Sequence, residues 1–184
     1  LLKFKNAWLD IDGVLNVVGQ GHDQFGQIFH EHFTLNLKRI IDQTGAKIVI
    51  SSSWRKSGLQ NMQEMWKHRN LPGEVIDVTP SLYLQKGGSI LFWNDKLERH
   101  PTEKIYGYSI PRGCEIEYWL KLENSKFEID SYVILDDDND MLLSQNGRFV
   151  QCSGNYDDHD CIDAGYGLTS RCADKAIAIL NLVP

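Results

Sequence analysis

The chain has 184 residues, 42% of them hydrophobic and 24% charged, with a formal net charge of −6. At ~150 residues per domain it is expected to form one domain spanning residues 1–184, burying about 70% of its unfolded surface without disulfide or zinc staples. No apolar run approaches the ~20 residues needed to span a bilayer and no signal-peptide pattern opens the chain, so collagen, coiled-coil, disordered and membrane classes are excluded.

In chain order, a first apolar run, Ala7-Trp8-Leu9, reads as a strand, and a stripe at Leu37, Ile40 and Ile41 reads as a helix. A second strand, Ile48-Val49-Ile50, precedes a helical stripe at Leu59, Met62, Met65 and Trp66. Val75-Ile76 is a third strand, after which residues 79–111, rich in Gly, Pro and aromatics, break the rhythm and read as a small insertion over one end of a sheet. The helical stripe Ile116, Trp119, Leu120 leads to the strand Tyr132-Val133-Ile134-Leu135, then to Phe149-Val150 and a last helix with Ala173, Ala176, Ile177 and Leu180, N-capped by Thr169. The strands are continuously apolar, as expected when both faces are covered, and strand–helix alternation at this spacing predicts an α/β fold with a doubly wound parallel sheet. There is no internal repeat and no low-complexity linker.

The chain begins at Leu1 rather than Met, so a short leader or tag is expected to be missing. Cys114, Cys152, Cys161 and Cys172 show no C-x-x-C spacing, which argues against a zinc ribbon or a thioredoxin-like motif. Without an export signal they are expected to be reduced thiols of a cytoplasmic protein. Charge is uneven: residues 130–163 hold nine Asp against one Arg, and the other 150 residues sum to +2. Such a concentration is either a solvated acidic face or a cation site, and the overall acidity argues against a non-specific nucleic-acid binder.

Ligands of doubly wound sheets bind beyond the carboxyl ends of the strands. After the first strand comes Asp10-Ile11-Asp12-Gly13, two carboxylates able to share one crevice, with Gly13 permitting a tight turn. Their repulsion is relieved if a divalent cation lies between them, which could also hold a phosphate. After the second strand come Ser51-Ser52-Ser53-Trp54-Arg55, hydroxyls and free N–H groups suited to a phosphoryl oxygen, although one serine is expected to cap the next helix. After the fourth comes Asp136-Asp137-Asp138-Asn139-Asp140. A calcium loop is rejected here, because Met141 stands where its Gly should be and Gly147 where its Glu should be; Mg²⁺ held by one or two carboxylates plus substrate phosphate fits better.

With Leu9-Asp10-Ile11-Asp12-Gly13-Val14-Leu15, Ile48-Val49-Ile50-Ser51 and Ile134-Leu135-Asp136-Asp137 in this order, each at a strand end, the chain resembles the haloacid dehalogenase-like (HAD) superfamily of phosphatases and phosphotransferases. Ser-Ser-Ser-Trp-Arg, the stretch from Arg112 to Leu120, the Asp triplet and Gly167-Leu168-Thr169 look most like HAD domains associated with RNA-repair proteins. The resemblance implies a Rossmann-like sheet with a minimal cap and roles for particular residues. Asp10 would be the nucleophile, forming an aspartyl-phosphate, and Asp12 the general acid and base. Asp10, the Asp12 carbonyl, Asp136 and Asp137 would hold Mg²⁺. Ser51 would bind the phosphoryl group, with Ser52, Arg55 and Gly13 as further substrate contacts. The family's third motif, a Lys or Arg, is matched by Arg112, favoured by its spacing, or by Lys104.

Asp157, Asp158, His159 and Asp160 read as a polar loop, and His22, His30 and His32, where the family folds a small flap, as surface positions. Only 38 residues separate Asp12 from Ser51, too few for a large cap, and an open site suits a bulky phosphorylated substrate such as a nucleic-acid end. Lys86, Lys96, Arg99, Lys104 and Arg112, interleaved with Tyr83, Phe92, Trp93, Tyr106 and Tyr108, could grip a backbone and stack a base, or simply cover the sheet end. The alternatives are a nucleotide or sugar-phosphate phosphatase, and a non-catalytic phosphate- or protein-binding module on the same fold, which would have no need for both Asp10 and Asp12.

Overall fold

The computed structural model describes residues 3–16, 21–84, 90–92, 108–123, 128–152 and 166–182. In chain order, β1 (Lys3–Leu9) is followed by a two-stranded hairpin, β2 (His22–Asp23) and β3 (Gly26–Gln27), and by α1 (Glu31–Thr44). Then come β4 (Lys47–Ile50), a 3-10 turn at Ser53–Ser57, α2 (Leu59–His68) and β5 (Val75–Val78). The insertion contributes β6 (Leu82–Leu84), β7 (Ile90–Phe92) and β8 (Tyr108–Ser109). The chain closes with α3 (Arg112–Glu123), β9 (Glu128–Asp136), a 3-10 turn at Leu143–Arg148, β10 (Phe149–Gln151) and α4 (Ser170–Asn181).

Five strands form one parallel sheet in the order β10-β9-β1-β4-β5. Successive strands move outward on one side of β1 and then cross to the other, so the end of β1 lies where the winding reverses. That reversal opens a crevice at the carboxyl end of the central strand. The expected doubly wound α/β sheet is therefore present, and both of its faces are covered. Side chains of β1 alternate: Ala7 and Leu9 enter the larger core with Phe33, Leu37 and Ile40 of α1, Met62 and Met65 of α2, and Ala173, Ala176 and Leu180 of α4. Trp8 enters the smaller one with Ile116 and Trp119 of α3, where it meets Trp119 edge-on at 5.3 Å between ring centroids. Each helical stripe read from the sequence faces one of these two cores, that of α3 the smaller and the other three the larger.

Helix ends follow local chemistry. Thr169 Oγ1 accepts from Cys172 N at 3.2 Å and so caps α4. His30 Nδ1 accepts from His32 N at 3.2 Å and caps α1, so His30 serves the helix start, while His22 is exposed. The described part of the insertion is a three-stranded antiparallel sheet, β7-β6-β8. Lys86, Lys96, Arg99, Lys104, Trp93, Tyr106 and the 157–160 segment with its acidic residues lie outside the described residues, as does Cys161. Cys114, Cys152 and Cys172 carry no disulfide. No helix among the described residues is long and apolar enough to cross a membrane.

Candidate active site

The carboxyl ends of β1, β4 and β9 bring the chain's unusual polar residues together. Backbone ladders continue past the strands: Asp10 N donates to Leu135 O at 2.9 Å and Ser51 N to Leu9 O at 3.0 Å. Asp10, Ser51 and Asp136 are thereby set side by side at the crevice, 5%, 0% and 1% exposed. Asp10, Asp136 and half-buried Asp137 each present a carboxylate oxygen within 4.8 Å of the other two.

The turn after β1 is closed by Val14, Leu15 and Asn16 N–H groups converging on Ile11 O. It requires Gly13 for two reasons. Its φ is +72°, and a Cβ there would lie 2.3 Å from Asp137 Oδ2. Gly13, expected beside the substrate, is what lets Asp137 approach the first motif. The Asp12 carboxylate is exposed and is not one of the three that converge. It is tied to Trp54 Nε1, which donates to both of its oxygens at 3.0 Å, and to Asn16 Nδ2 at 2.8 Å on Oδ1. Only its carbonyl is left for the metal role that the resemblance implied.

The three serines divide as their exposure dictates. Ser52 Oγ accepts from Trp54 N at 3.4 Å, capping the 3-10 turn, and also bonds Asp10. Ser53 is exposed. Ser51 Oγ is buried with no hydrogen-bond partner among the described residues, while the Ser51 carbonyl accepts from both Arg55 and Arg112.

Arg112 opens α3 and points its guanidinium into the crevice, with Nη1 3.0 Å from Asp10 Oδ1 and 3.8 Å from Asp136 Oδ2. Lys104, the other candidate for that cation, lies outside the described residues. Arg112 is aimed by the loop after β9: Asp140 Oδ2 accepts from Arg112 N at 2.8 Å, and Asp140 O from Gly113 N at 3.3 Å. Fully buried Gln145 clamps the same joint, donating to Gly113 O at 2.9 Å and accepting from Leu142 N at 2.9 Å. A Cβ on Gly113 would sit 2.5 Å from Leu142 N, so only glycine allows this docking. Asp136 and Asp137 thus face the crevice, while Asp140, the last of the acidic run, caps α3.

Arg55 departs from expectation. It is 8% exposed and paired with Glu115 rather than open to a substrate. A buried guanidinium needs an anion, and Glu115, which also accepts from Leu82 N at 2.8 Å, supplies it. Burial lowers the Arg55 pKa and raises that of Glu115, and each partner offsets part of the other's shift. The pair ties the turn after β4 to α3 and to the insertion. Asn16, Glu115 and Gln145 were not singled out from the sequence, and Trp54 and Asp140 stood there only as members of longer motifs. Of those three, only Glu115, one helical turn after Arg112, had a local signal.

Electrostatically the acidic cluster is incomplete without a cation. Burial first, then the Asp10 charge, pushes Asp136 up to about 8, against the pull of Arg112. Burial also raises Asp10 against Arg112, and burial with Asp138 raises Asp137. Asp136 Oδ2 is buried and has no hydrogen-bond donor among the described residues. An all-carboxylate donor set with an orphaned buried oxygen fits a hard divalent cation such as Mg²⁺.

No curated protein and no solved structure matches the chain. Residues 7–156, from within β1 to beyond Asp137 and β10, match the model of the HAD domain in Swiss Army Knife RNA repair proteins. With a parallel sheet wound about β1 and a match over most of its length, the chain belongs to this family of HAD domains.

Proposed function

We propose that the protein is a Mg²⁺-dependent phosphomonoesterase that works through an aspartyl-phosphate on Asp10 and acts on phosphorylated nucleic-acid ends. Family membership supports a HAD-type phosphohydrolase in general. The observation that carries the sharper reading is Asp10 at the end of the central strand, with Asp136 and Asp137 converging on it and Arg112 bonded to its Oδ1. Asp10 attacks phosphorus and the bond to the leaving oxygen breaks, while Asp12 gives its proton to that oxygen. Asp12, now ionised, takes a proton from the water that attacks the phospho-aspartate, releasing phosphate and restoring Asp10. Arg112 and the unpartnered Ser51 hydroxyl are the groups that would hold the phosphoryl oxygens. Mg²⁺, with Asp10, Asp136, Asp137 and the Asp12 carbonyl as its ligands, would neutralise phosphoryl charge and align the attack.

Two features support a bulky substrate. Asp12 is exposed at the rim, and the only described element between the first and second motifs besides α1 is the short β2–β3 hairpin. The family's RNA-repair description makes a nucleic-acid end the substrate to test first. A cytoplasmic location belongs to this reading, with which the thiols of Cys114, Cys152 and Cys172 agree.

The test is phosphate release from p-nitrophenyl phosphate in Mg²⁺ or EDTA by the wild type and Asp10→Asn. A panel of 3′- and 5′-phosphorylated RNA and DNA oligonucleotides, mononucleotides and sugar phosphates follows. Release that needs Mg²⁺, is absent from Asp10→Asn and is fastest on oligonucleotide ends is expected. Equal rates in both proteins remove Asp10 as nucleophile; preference for mononucleotides or sugar phosphates overturns the substrate; release from no member of the panel leaves a binding module.

Gly13→Ala probes the cation site from its rim. The added methyl must displace the Asp137 carboxylate and strain a left-handed turn. Turnover is expected to fall about 100-fold and half-maximal Mg²⁺ to rise about tenfold, as when metal-supporting groups are removed. A Mg²⁺ titration of the variant checks this.

A further inference from the structure

We propose that Trp54 is a positioning residue for the Asp12 carboxylate, holding it to protonate alkoxide leaving groups such as the sugar oxygen of a phosphate ester. The inference rests on the reading of Asp12 as general acid and deepens it. An exposed aspartate turns freely about two side-chain torsions, and a proton donor that does so is rarely aligned. Here the indole N–H sits 3.0 Å from both oxygens of Asp12, and Asn16 Nδ2 lies 2.8 Å from Oδ1, so the carboxylate plane is set from two sides. Oδ1 accepts two bonds and Oδ2 one, which leaves Oδ2 as the oxygen to carry the proton. As that proton leaves, negative charge develops on Asp12, and a donor already in place at both oxygens stabilises it without reorganising.

The indole is itself fixed. Its ring lies 5.7 Å from Phe29 at a 58° tilt, with the Arg69 guanidinium 5.7 Å from its centroid. A Cβ on Gly26 of β3 would fall 3.1 Å from Trp54 Cη2, so the hairpin backbone packs against the ring edge. Arg69 holds that hairpin down through Asp23, at 2.9 Å and 2.7 Å, and through Gly26 O at 3.3 Å. The small flap after the first motif is thereby connected to the general acid through one tryptophan, 42 residues further along the chain.

Trp54→Phe keeps an aromatic ring on Phe29 but removes the N–H together with part of the ring that packs on the hairpin, so the readout is the difference between two substrates rather than a single rate. The measured quantity is kcat/KM, which covers steps up to departure of the leaving group. For the best alkyl phosphate of the panel above it is expected to fall about tenfold, part of the ~10²–10⁴ that general acid catalysis contributes. For p-nitrophenyl phosphate, whose leaving group needs no proton, it is expected to change less than twofold. In an Asp12→Ala background the Trp54 change is expected to have no further effect on the alkyl phosphate. Independently of turnover, the indole N–H resonance that disappears in Trp54→Phe is expected to move in Asp12→Ala. Equal losses on both substrates, additive losses in the double variant, or an unmoved indole resonance would overturn the assignment. Wild-type turnover that is absent, or undiminished in Asp10→Asn, instead overturns the hydrolase reading, and the positioning role with it.

Discussion

Asp136→Asn is expected to lower Mg²⁺-dependent turnover about 1,000-fold while making the metal-free protein more stable, two effects of opposite sign from one substitution. Asp136 brings to the proposed cation site a buried oxygen that has no donor among the described residues. Asparagine keeps the side chain's shape but offers one neutral oxygen where two charged ones stood, so Mg²⁺ loses a ligand and much of its Coulombic attraction. Without metal the balance reverses, because the native carboxylate is costly: burial and the Asp10 charge both resist its ionisation.

The same asymmetry sets a pH dependence. Asp136 has an ordinary value of 3.8 and is pushed to about 8 in the metal-free fold. Between those values the folded protein keeps a proton that the unfolded chain has released, so rising pH favours unfolding. The contribution is fully present below pH ~4 and is lost as pH climbs towards 8. In EDTA the wild-type Tm is expected to drop about 10 °C from pH 5 to pH 8, on the order of 3–4 kcal/mol for one proton over three pH units. In Mg²⁺ that slope should vanish, since the cation holds the carboxylates ionised, and in Asp136→Asn it should shrink to less than half in either buffer. Thermal scans at the two pH values, with and without metal, decide it. A slope in EDTA that is the same in wild type and variant would detach Asp136 from the effect.

What could be read from the sequence was whatever chemistry is local to a strand end. Leu9-Asp10 and Leu135-Asp136 combine a continuous apolar run with an abrupt acid, a pattern few buried strands tolerate without a ligand, so the carboxylates and their crevice were visible. The lower half of the same strands was not. Lys3–Lys5 and Glu128–Ser131, polar but for Phe4 and Ile129, carry no continuous apolar run, and they extend β1 and β9 by pairing with each other across the sheet. Partners distant in sequence were equally hidden. Arg55 looked like an anion contact beside three serines, but its anion is Glu115, 60 residues away. Trp54 looked like part of a phosphate loop, yet its N–H points back to Asp12. Asp140 repeated the spacing of a cation loop, while its actual work is to cap α3 beneath Arg112. Position along the chain reveals which groups are unusual; the fold decides which of them meet.

Arg112→Ala is the complementary substitution, with losses expected in both turnover and stability. Its guanidinium faces Asp10 at 3.0 Å, Asp136 at 3.8 Å and Glu115 at 3.9 Å, so one cation serves three buried or nearly buried acids. Alanine leaves those acids short of a counter-charge and removes a donor to the Ser51 carbonyl, which keeps only Arg55. Breaking a buried charge pair on one side costs about 3–5 kcal/mol; Arg112 retains some exposure, so a cost at or below the lower end is expected, a Tm drop of about 5–10 °C. Loss of a preorganised donor to the phosphoryl oxygens lowers kcat about 10²–10³-fold. Arg112→Lys separates the two contributions: the ammonium restores the charge and most of the stability but not the flat fork that reaches Asp10 and Ser51 together, so kcat is expected to stay about tenfold low. Under Mg²⁺ saturation Arg112→Ala should remain impaired, because the cation would neutralise charge and align the attack without supplying the donor that the guanidinium provides. Recovery of Arg112→Ala to wild-type turnover at high Mg²⁺ would reduce Arg112 to a charge balance for the empty cluster, and Asp136→Asn combined with Arg112→Ala would then be no less stable than wild type in EDTA.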